Sequence, residues 1–249
     1  ELAREKSPTA LTRNELHSRL AVEAPSLIQA ADQLVERGKL LATQDQGWVG
    51  GDATTLLEQQ ALAMVREHHK ENPFEPGLKL QTLRDKLRRS ADAETAALVL
   101  DRLSKGEPQR LSIADSYVSI PEFQGPEEGS PEAAQAKRAR EIMKEGGLAG
   151  FSPNAFSESI GCDAKIGRTL LAMLVRETNA VEAGGLWFAH DAIEQLQKEV
   201  CAHFEQQPTL SVQDFKQITG LGRKQSIPLL EHLDRERVTR RDGDDRVKA

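Results

Sequence analysis

A predicted helix followed by a short β-hairpin occurs four times along this chain, and this repeat limits the folds that the chain can adopt. In the first copy, apolar residues spaced three and four apart between positions 27 and 35 define one face of a helix. Gly38 can end that helix in the left-handed conformation. A hairpin with Gln46-Gly47 at its turn and Trp48 in its second strand follows. The pattern predicts several small domains rather than one large core.

The four copies share the spacing between a leucine near the end of the helix and a bulky apolar residue in the last strand of the hairpin. The offsets are 14, 14, 13 and 14 residues. The pairs are Leu34 with Trp48, Leu103 with Tyr117, Leu174 with Trp187, and Leu233 with Val247. A nearly constant offset is expected when one structural unit is repeated.

A second, shorter helix is predicted upstream of each unit. In the first copy Thr12 and Glu15 have the spacing of a capping box, and Ser211 is the expected cap of the corresponding helix in the fourth. A longer helix precedes these elements in the last three copies. Three helices and a hairpin within about 60–70 residues form the winged-helix layout, a variant of the helix-turn-helix.

These elements predict a mainly α fold with small β-hairpins, arranged as four tandem winged-helix domains. The predicted bounds are residues 1–51 for the first domain, which would lack most of its first helix, 52–123 for the second, 130–190 for the third and 191–249 for the fourth. Each domain is small for an independent core, so neighbouring domains are expected to pack together. The Pro-, Gly- and Glu-rich stretch Glu122–Glu132 is the predicted flexible joint.

The net charge of −6 hides an uneven distribution of charge along the chain. Residues 1–189 hold 23 Lys and Arg against 28 Asp and Glu, whereas residues 216–249 hold 9 against 6. Because local rather than total charge governs binding to phosphates, the last domain is the predicted nucleic-acid-binding part.

The sequence gives little support for catalysis or for a metal site. The stretch Gly161–Thr169 has five residues between its glycines, where a phosphate-binding loop has four, and Arg168 stands in place of the lysine. We interpret it as a turn leading into a helix. The six histidines lack zinc-ligand spacing, and the adjacent His68 and His69 are expected at the surface. We therefore infer no enzymatic activity.

The two cysteines, Cys162 and Cys201, form no CxxC motif and are too few for a disulfide framework. They are expected to be buried or half-buried, in a protein of the reducing cytosol. No apolar run approaches the roughly 20 residues that span a bilayer, so no membrane contact is expected.

A pair of cations marks the expected start of the last domain's third helix. Pro228 supplies no N–H and is tolerated in a helix only near the first turn, so this helix is predicted to begin close to Arg223 or Lys224. Both cations would then stand at a helix end that has free backbone N–H groups and a partial positive charge. Such an end is a favourable position for a phosphate.

Three further arginines are predicted on the two strands of the last hairpin, the wing of this domain. In a winged helix the third helix and the wing face the same nucleic acid. The charge pattern alone is equally compatible with a solvated surface, because three aspartates dilute the wing. The predicted nucleic-acid-binding residues are Gly222, Arg223, Lys224, Gln225, Arg240, Arg241 and Arg246.

The segment from Val212 to Val247 strongly resembles the last winged-helix domain of the bacterial selenocysteine-specific elongation factor. The rest of the chain resembles that family only in its layout of tandem winged helices. The residues that carry the resemblance are Gly220–Lys224, Ile227–Glu231, Leu233-Asp234, Thr239–Arg241 and Gly243–Arg246.

The resemblance implies a C-terminal fragment whose last domain binds the selenocysteine insertion hairpin, an mRNA stem-loop that follows a UGA codon, and tethers the factor there. It implies a non-catalytic chain without a cofactor, because the GTPase domain with its GTP and the domains that bind selenocysteinyl-tRNA would be absent. The ribosome would be a further partner, with the first three domains acting as spacers or facing the ribosome. The chain would be a cytoplasmic monomer.

Two other classes of function stay open at this point. A DNA-binding regulator would be expected to carry cations along the middle of its recognition helix, but here that helix continues as LLEHLDRE, which is apolar and acidic. A protein-interaction scaffold is the second alternative, since tandem winged helices also serve that purpose. Binding to an RNA hairpin compared with a DNA duplex of equal charge would separate the three.

Overall fold

The computed structural model describes residues 8–20, 24–44 and 47–249, including the side chains of all of these except residues 19, 20 and 24. The chain divides after Gly125 into two units, and this boundary lies within the predicted joint Glu122–Glu132. Both units consist of helices and small antiparallel sheets, which confirms the mainly α fold class. Gln46, which we predict at the turn of the first hairpin, lies outside the described residues.

The first unit begins with helices and a hairpin and ends with a three-stranded sheet. In chain order its elements are α1 (Arg13–Leu20), α2 (Ala24–Glu36), β1 (Leu40–Ala42), β2 (Trp48–Gly50), α3 (Gly51–Glu71), β3 (Leu78–Lys79), α4 (Leu80–Leu87), α5 (Ala93–Lys105), β4 (Ser112–Ala114) and β5 (Tyr117–Ser119). Strand β1 pairs with β2, and β5 pairs with both β3 and β4. Buried Leu83, Leu103 and Val118 belong to the core that α3, α4, α5 and this sheet share.

The second unit repeats the order of helices and hairpin twice. Its elements are α6 (Pro131–Gly146), α7 (Pro153–Ile160), α8 (Ala164–Arg176), β6 (Ala180–Ala183), β7 (Leu186–Ala189), α9 (His190–Gln206), α10 (Val212–Thr219), α11 (Arg223–Arg235), β8 (Thr239–Asp242) and β9 (Asp245–Lys248). Strand β6 pairs with β7 and β8 with β9, both antiparallel. One buried cluster extends from Phe188 of β7 through Phe215 of α10 to Leu233 of α11.

The predicted capping box at Thr12 and the predicted cap Ser211 are both present. The hydroxyl of Thr12 accepts a hydrogen bond from the Glu15 N–H at 3.3 Å, and the Glu15 carboxylate accepts one from the Thr12 N–H at 3.0 Å. Ser211 and Asp214 form the same reciprocal pair at the start of α10. Each pair satisfies backbone donors that the first helical turn leaves without partners.

The four anchor leucines have a common structural role. The carbonyl oxygen of each one accepts a backbone hydrogen bond from the chain that leads into the hairpin. In the first, third and fourth copies the donor lies five residues further on, as in a Schellman-type helix end, whereas in the second copy it lies eight residues further on. The donors are the N–H groups of Lys39 to Leu34 at 2.9 Å, Leu111 to Leu103 at 2.9 Å, Asn179 to Leu174 at 2.8 Å and Val238 to Leu233 at 3.0 Å. Gly38 has the predicted left-handed conformation, with φ of 69°. The repeated spacing therefore reflects a repeated helix-to-strand connection.

The last strand of each hairpin also pairs with a short extended segment just before the preceding short helix. Single antiparallel bridges join Leu11 to Trp48, Phe151 to Trp187, and Leu210 to Arg246, and strand β3 pairs with β5 in the same way. In the fourth copy the residue of the last strand that forms this bridge is Arg246 and not Val247. The structure thus corrects the predicted anchor pair: the offset from Leu233 is one residue shorter, because the wing turn is tight.

Two of the hairpins pass directly into the next long helix. Strand β2 ends at Gly50 and α3 begins at the next residue, and β7 ends at Ala189 immediately before α9. The N–H of Gly51 donates to the carbonyl of Lys39 at 3.0 Å, so the junction is tied back to the end of α2. A Cβ at Gly51 would lie 2.5 Å from the carbonyl oxygen of Gly38, so only glycine fits there.

The expected surface position of the paired histidines is wrong for His69. Its ring is buried and stacks on Phe123 with ring centres 3.6 Å apart, and its Nε2 accepts a hydrogen bond from the Ile120 N–H at 3.1 Å. His68, one residue earlier, is half-buried and lies 3.1 Å from the Glu75 carboxylate. Adjacent positions on α3 point to different sides of the helix, and one of these sides is covered by the chain that follows β5.

Candidate nucleic-acid interface

Helix α11 begins at Arg223, as the position of Pro228 predicts, and its N-cap is Gly222. No side chain caps this helix end. The helices that occupy the same place in the two preceding copies are capped by aspartates: Asp92 accepts from the Thr95 N–H, and Asp163 from those of Lys165 and Ile166. A carboxylate thus fills the anion position in those helices, whereas the N-terminus of α11 is left open to an external anion.

The first turn of α11 is exposed on one side and anchored on the other. Gly222, Arg223 and Lys224 are exposed, while Gln225 is half-buried. Ser226 is buried, and its hydroxyl donates to the carbonyl of Gly222 at 2.9 Å. We call Arg223 and Lys224 the tip pair. Since the tip pair stands beside the uncapped N–H groups, charge and backbone donors point to one anion-binding position.

The wing carries its two neighbouring arginines at the surface. Arg240 and Arg241 are exposed in β8, and Arg241 Nε donates to the carbonyl of Gly243 at 3.0 Å. In the register of the hairpin, Arg240 lies opposite Val247 and Arg241 opposite Arg246. Successive strand residues point to opposite faces, so these two arginines leave the wing on different sides.

Arg246, the third predicted wing residue, has its side chain inside the domain. Only 8% of that side chain is exposed, and its Nε lies 3.1 Å from a carboxylate oxygen of Asp234 in α11. The other oxygen of the same carboxylate accepts from the hydroxyl of Thr239, at the start of β8. The Asp234 carboxylate therefore joins the wing to the end of α11, and Arg246 serves that junction.

Sequence reasoning missed Arg237. This exposed residue follows α11 with a positive φ of 58° and lines a shallow cavity together with Arg240 and Arg241. We call these three residues the wing group. A basic residue just past a predicted helix end, at the position held by Gly38 in the first copy, was the available signal.

The tip pair and the wing group lie at opposite ends of α11. This helix has 13 residues, which corresponds to roughly 20 Å along its axis. The structure thus places the predicted residues in two separate groups rather than in one cluster. A ligand that contacts both groups must extend along the helix.

A contact with the preceding hairpin fixes the exposed side of α11. Gly184, at the turn between β6 and β7, approaches Pro228 so closely that a Cβ at Gly184 would lie 2.9 Å from the proline Cβ. Further along α11, His232 is buried, its Nδ1 has no hydrogen-bond partner among the described residues, and burial lowers its pKa. The hairpin therefore covers the middle of α11 and leaves its two ends accessible.

The remaining features behave as structural parts. The stretch resembling a phosphate-binding loop is a turn into a helix, as interpreted: Gly161 ends α7 in the left-handed conformation and Asp163 caps α8. Cys162 and Cys201 are half-buried, as predicted. Within the described parts of the chain, no helix combines the length and the apolar character required to cross a membrane.

Comparison with known proteins finds matching family models in both units. Family models described as "Elongation factor SelB, winged helix" match residues 62–107 and 202–247. The second match contains α10, α11 and nearly all of the wing, and the first contains the C-terminal half of α3 together with α4 and α5. These two parts of the chain are similar to winged-helix domains of SelB.

A curated relative is similar over most of the chain. The selenocysteine-specific elongation factor of Desulfomicrobium baculatum is 28% identical over 223 residues, which cover 84% of this chain and 33% of the relative. The predicted resemblance to this family is confirmed, because most of the chain is similar to part of a selenocysteine-specific elongation factor. It spans about a third of the length of that relative.

Two solved structures are similar. The bacterial selenocysteine-specific elongation factor EF-Sec has a TM-score of 0.52 at 19% identity, covering 85% of this chain and 32% of that one. The mRNA-binding domain of elongation factor SelB from E. coli, solved in complex with SECIS RNA, has a TM-score of 0.42 at 21% identity, covering 47% of this chain and 94% of that one. At 19% identity, the similarity to EF-Sec shows a shared fold.

Proposed function

We propose that this chain is the mRNA-binding part of a selenocysteine-specific elongation factor and that its last domain binds the selenocysteine insertion hairpin. The observation that carries the proposal is the open N-terminus of α11 with the tip pair beside it, in a segment that matches a SelB winged helix. By binding the hairpin, the chain tethers the factor at a UGA codon and raises its local concentration at the decoding ribosome.

The arrangement suits a compact RNA loop. Sequence-specific RNA readers mostly recognise unpaired bases in loops and bulges, because the deep groove of an A-form stem is closed to side chains. The uncapped N–H groups of α11 would hold a loop phosphate, and Arg223 would stack on a base or pair with its edge. The wing group would then contact phosphates beyond the other end of α11.

The proposal extends to the whole chain. Four tandem winged helices, with bounds near residues 51, 123 and 190, agree with the fourfold recurrence of the anchor leucine bond and of the extended segment that pairs with each hairpin. We propose a chain without catalytic activity or cofactor of its own. GTP hydrolysis and selenocysteinyl-tRNA binding would belong to other domains of a cytoplasmic factor, and the ribosome would be its second partner.

The test uses RNA hairpins with a randomised loop. Selection with the full chain should enrich one loop sequence, which then serves as the cognate hairpin. We expect Lys224→Ala to weaken binding to the cognate hairpin and to a loop variant by similar factors, because a point charge on a phosphate reads no base. We expect Arg223→Ala to cost about 1–3 kcal/mol on the cognate hairpin and less on the variant.

Two outcomes would contradict this assignment. Equal losses on both RNAs with Arg223→Ala would make Arg223 a phosphate contact only. Tighter binding of a DNA duplex than of any selected hairpin would favour a DNA-binding regulator instead. Lys137→Ala, which changes an exposed cation on α6 far along the sequence from α11, is the matched control and should leave both affinities unchanged.

A further inference from the structure

We infer that α4 and the residues flanking it form a second RNA-binding surface in the first unit, one that binds the phosphate backbone of an A-form duplex without regard to sequence. The surface, here called the α4 patch, comprises Lys79, Arg84, Lys86, Arg88 and Arg89. This inference goes beyond the proposed recognition of a hairpin loop, because it concerns another domain and another part of an RNA.

The α4 patch concentrates more positive charge than the last domain does. Five cations stand within the eleven residues from Lys79 to Arg89, against one carboxylate, Asp85. All five are exposed, and none of their side chains forms an ion pair with any described residue. The carboxylate of Asp85 accepts a hydrogen bond from Gln81 at 2.8 Å. The patch therefore faces solvent with five positive charges against the single carboxylate of Asp85.

The fold directs these charges outward. Leu83 and Leu87 on α4 are fully buried against the core of the first unit, so the other positions of the helix face solvent. Cations in the last turn of a helix are stabilised by its dipole, which accounts for Arg84 and Lys86. The dipole does not account for Lys79, which precedes the first turn, where a positive charge is disfavoured. Binding of an external polyanion along α4 explains why cations are present at both ends of this helix.

The neighbouring helix end is not available for the same task. Asp92 caps α5, accepting from the Thr95 N–H at 2.7 Å, and its second carboxylate oxygen accepts from the N–H of buried Ala10 at 2.6 Å. The N-terminus of α5 is thus both neutralised and covered. In the last domain the corresponding N-terminus, that of α11, has no side-chain cap, and the cations of the tip pair are in its first turn. In the first unit the cations stand on the preceding helix instead.

The chemistry of the patch favours a duplex backbone over unpaired bases. Residues 79 to 89 include no aromatic side chain on which a base could stack. Phosphates of an A-form stem, in contrast, present a regular array of negative charge that arginine and lysine side chains bind without reading sequence. The flanking stem of an mRNA hairpin or a ribosomal RNA helix would supply the same chemistry.

The experiment measures how salt affects binding of the full chain to a blunt-ended RNA duplex that has no loop. The test variant is the triple Arg84→Gln, Lys86→Gln, Arg89→Gln. The control is the triple Lys137→Gln, Arg138→Gln, Lys144→Gln on α6, where three exposed cations are interspersed with glutamates. Both triples change the net charge by the same amount, so a general charge effect would appear equally in each.

We expect the test triple to weaken duplex binding by on the order of tenfold at 0.1 M salt, and to reduce the slope of log affinity against log salt by roughly 2 to 3. The control triple should bind like the wild type. Equal affinities and slopes for wild type and test triple would overturn the inference. A membrane would be the partner instead if the wild type bound vesicles with about a quarter phosphatidylserine more tightly than the duplex, and if the test triple lost its binding to these vesicles. That result would also overturn the inference.

A second readout separates this inference from the proposed hairpin function. The test triple should keep the wild-type ratio of affinities for a cognate hairpin and its loop variant, because the α4 patch reads no bases. Arg223→Ala should change that ratio and leave binding of the loopless duplex unchanged. If only one of these two results is obtained, the corresponding proposal stands and the other is rejected. Circular dichroism and thermal unfolding of each variant establish that its fold is retained.

Discussion

The side chain of Arg246 points into the last domain, whereas its neighbours on the wing reach solvent. At the level of single residues, this separates arginines that hold the fold from arginines that can meet a ligand. Arg246 and Asp234 form an ion pair of low exposure, with Thr239 on the second carboxylate oxygen. Removing one partner of such a network leaves a poorly solvated charge behind.

We expect Arg246→Ala to lower the free energy of unfolding of the second unit by about 1–3 kcal/mol. Arg241→Ala, on the same hairpin and exposed, should change it by less than about 0.5 kcal/mol. Urea unfolding followed by the fluorescence of Trp187, the tryptophan of the second unit, measures both. An equally small effect of the two changes would show that the ion pair does not hold the wing.

His69 gives the first unit a dependence on pH. Burial, followed by the charge of His68, lowers the pKa of His69 to about 4, well below its ordinary value of 6.5. The folded state therefore favours the neutral ring, and the unfolded chain binds a proton more readily between these two values. The stabilisation is complete above pH 6.5 and is lost as the pH falls towards 4.

We expect the first unit to lose up to about 3 kcal/mol of stability from this residue between pH 6.5 and 4. The variant His69→Gln keeps an acceptor for the Ile120 N–H but does not titrate, so it should remove that part of the pH dependence. Calorimetric unfolding at several pH values measures the difference. Parallel pH profiles for wild type and variant would contradict the assigned cause.

At the level of elements, the turn between β6 and β7 positions α11 through Gly184. Its φ of 58° disfavours any side chain, and a Cβ there would meet Pro228. The next residue, Gly185, has a similar φ of 77° but open space around it. A substitution at Gly185 therefore tests backbone strain alone, whereas the same substitution at Gly184 also tests the contact between the hairpin and α11.

We expect Gly185→Ala to cost about 1–2 kcal/mol, from backbone strain alone. Gly184→Ala should cost more, because the helix must also shift, and it should weaken binding of the selected hairpin. Unfolding curves and hairpin titrations of both variants test this. If Gly184→Ala and Gly185→Ala have the same effects, the contact with Pro228 does not position α11.

The sequence predicted local elements well because their signals are local. The anchor leucines, the capping pairs and the start of α11 each depend on residues within a turn or two. The position of Arg246 was not predictable, since its partner Asp234 is brought near by pairing of β8 with β9. The α4 patch was missed because charge was summed over residues 1–189, where 28 acidic residues outweigh 23 basic ones and hide the five cations between residues 79 and 89.

At the scale of the whole molecule, the boundary between the two units is short. Phe123 is held by stacking on His69, and Ser130 caps α6 by accepting from the Ala133 N–H. Residues 124–129 lie between these two anchors, and Glu127 and Glu128 are both exposed.

We expect a glutamate-specific protease to cut first after Glu127 or Glu128, because exposed segments with few contacts are the most accessible to proteases. Mass spectrometry of early digestion products identifies the site. The double change Glu127→Gln, Glu128→Gln should slow the first cut, whereas Glu141→Gln on α6 should not. First cleavage within 131–146 would show that α6 is not stably formed.

The direct passage of β7 into α9 has a mechanical consequence. A pull exerted by a bound mRNA on the last domain travels through α9 into the hairpin of β6 and β7 without crossing any slack chain. The chain between the anchors Phe123 and Ser130, residues 124–129, can stretch to only about 20 Å. Tension from a moving message would therefore be transmitted almost rigidly as far as that segment.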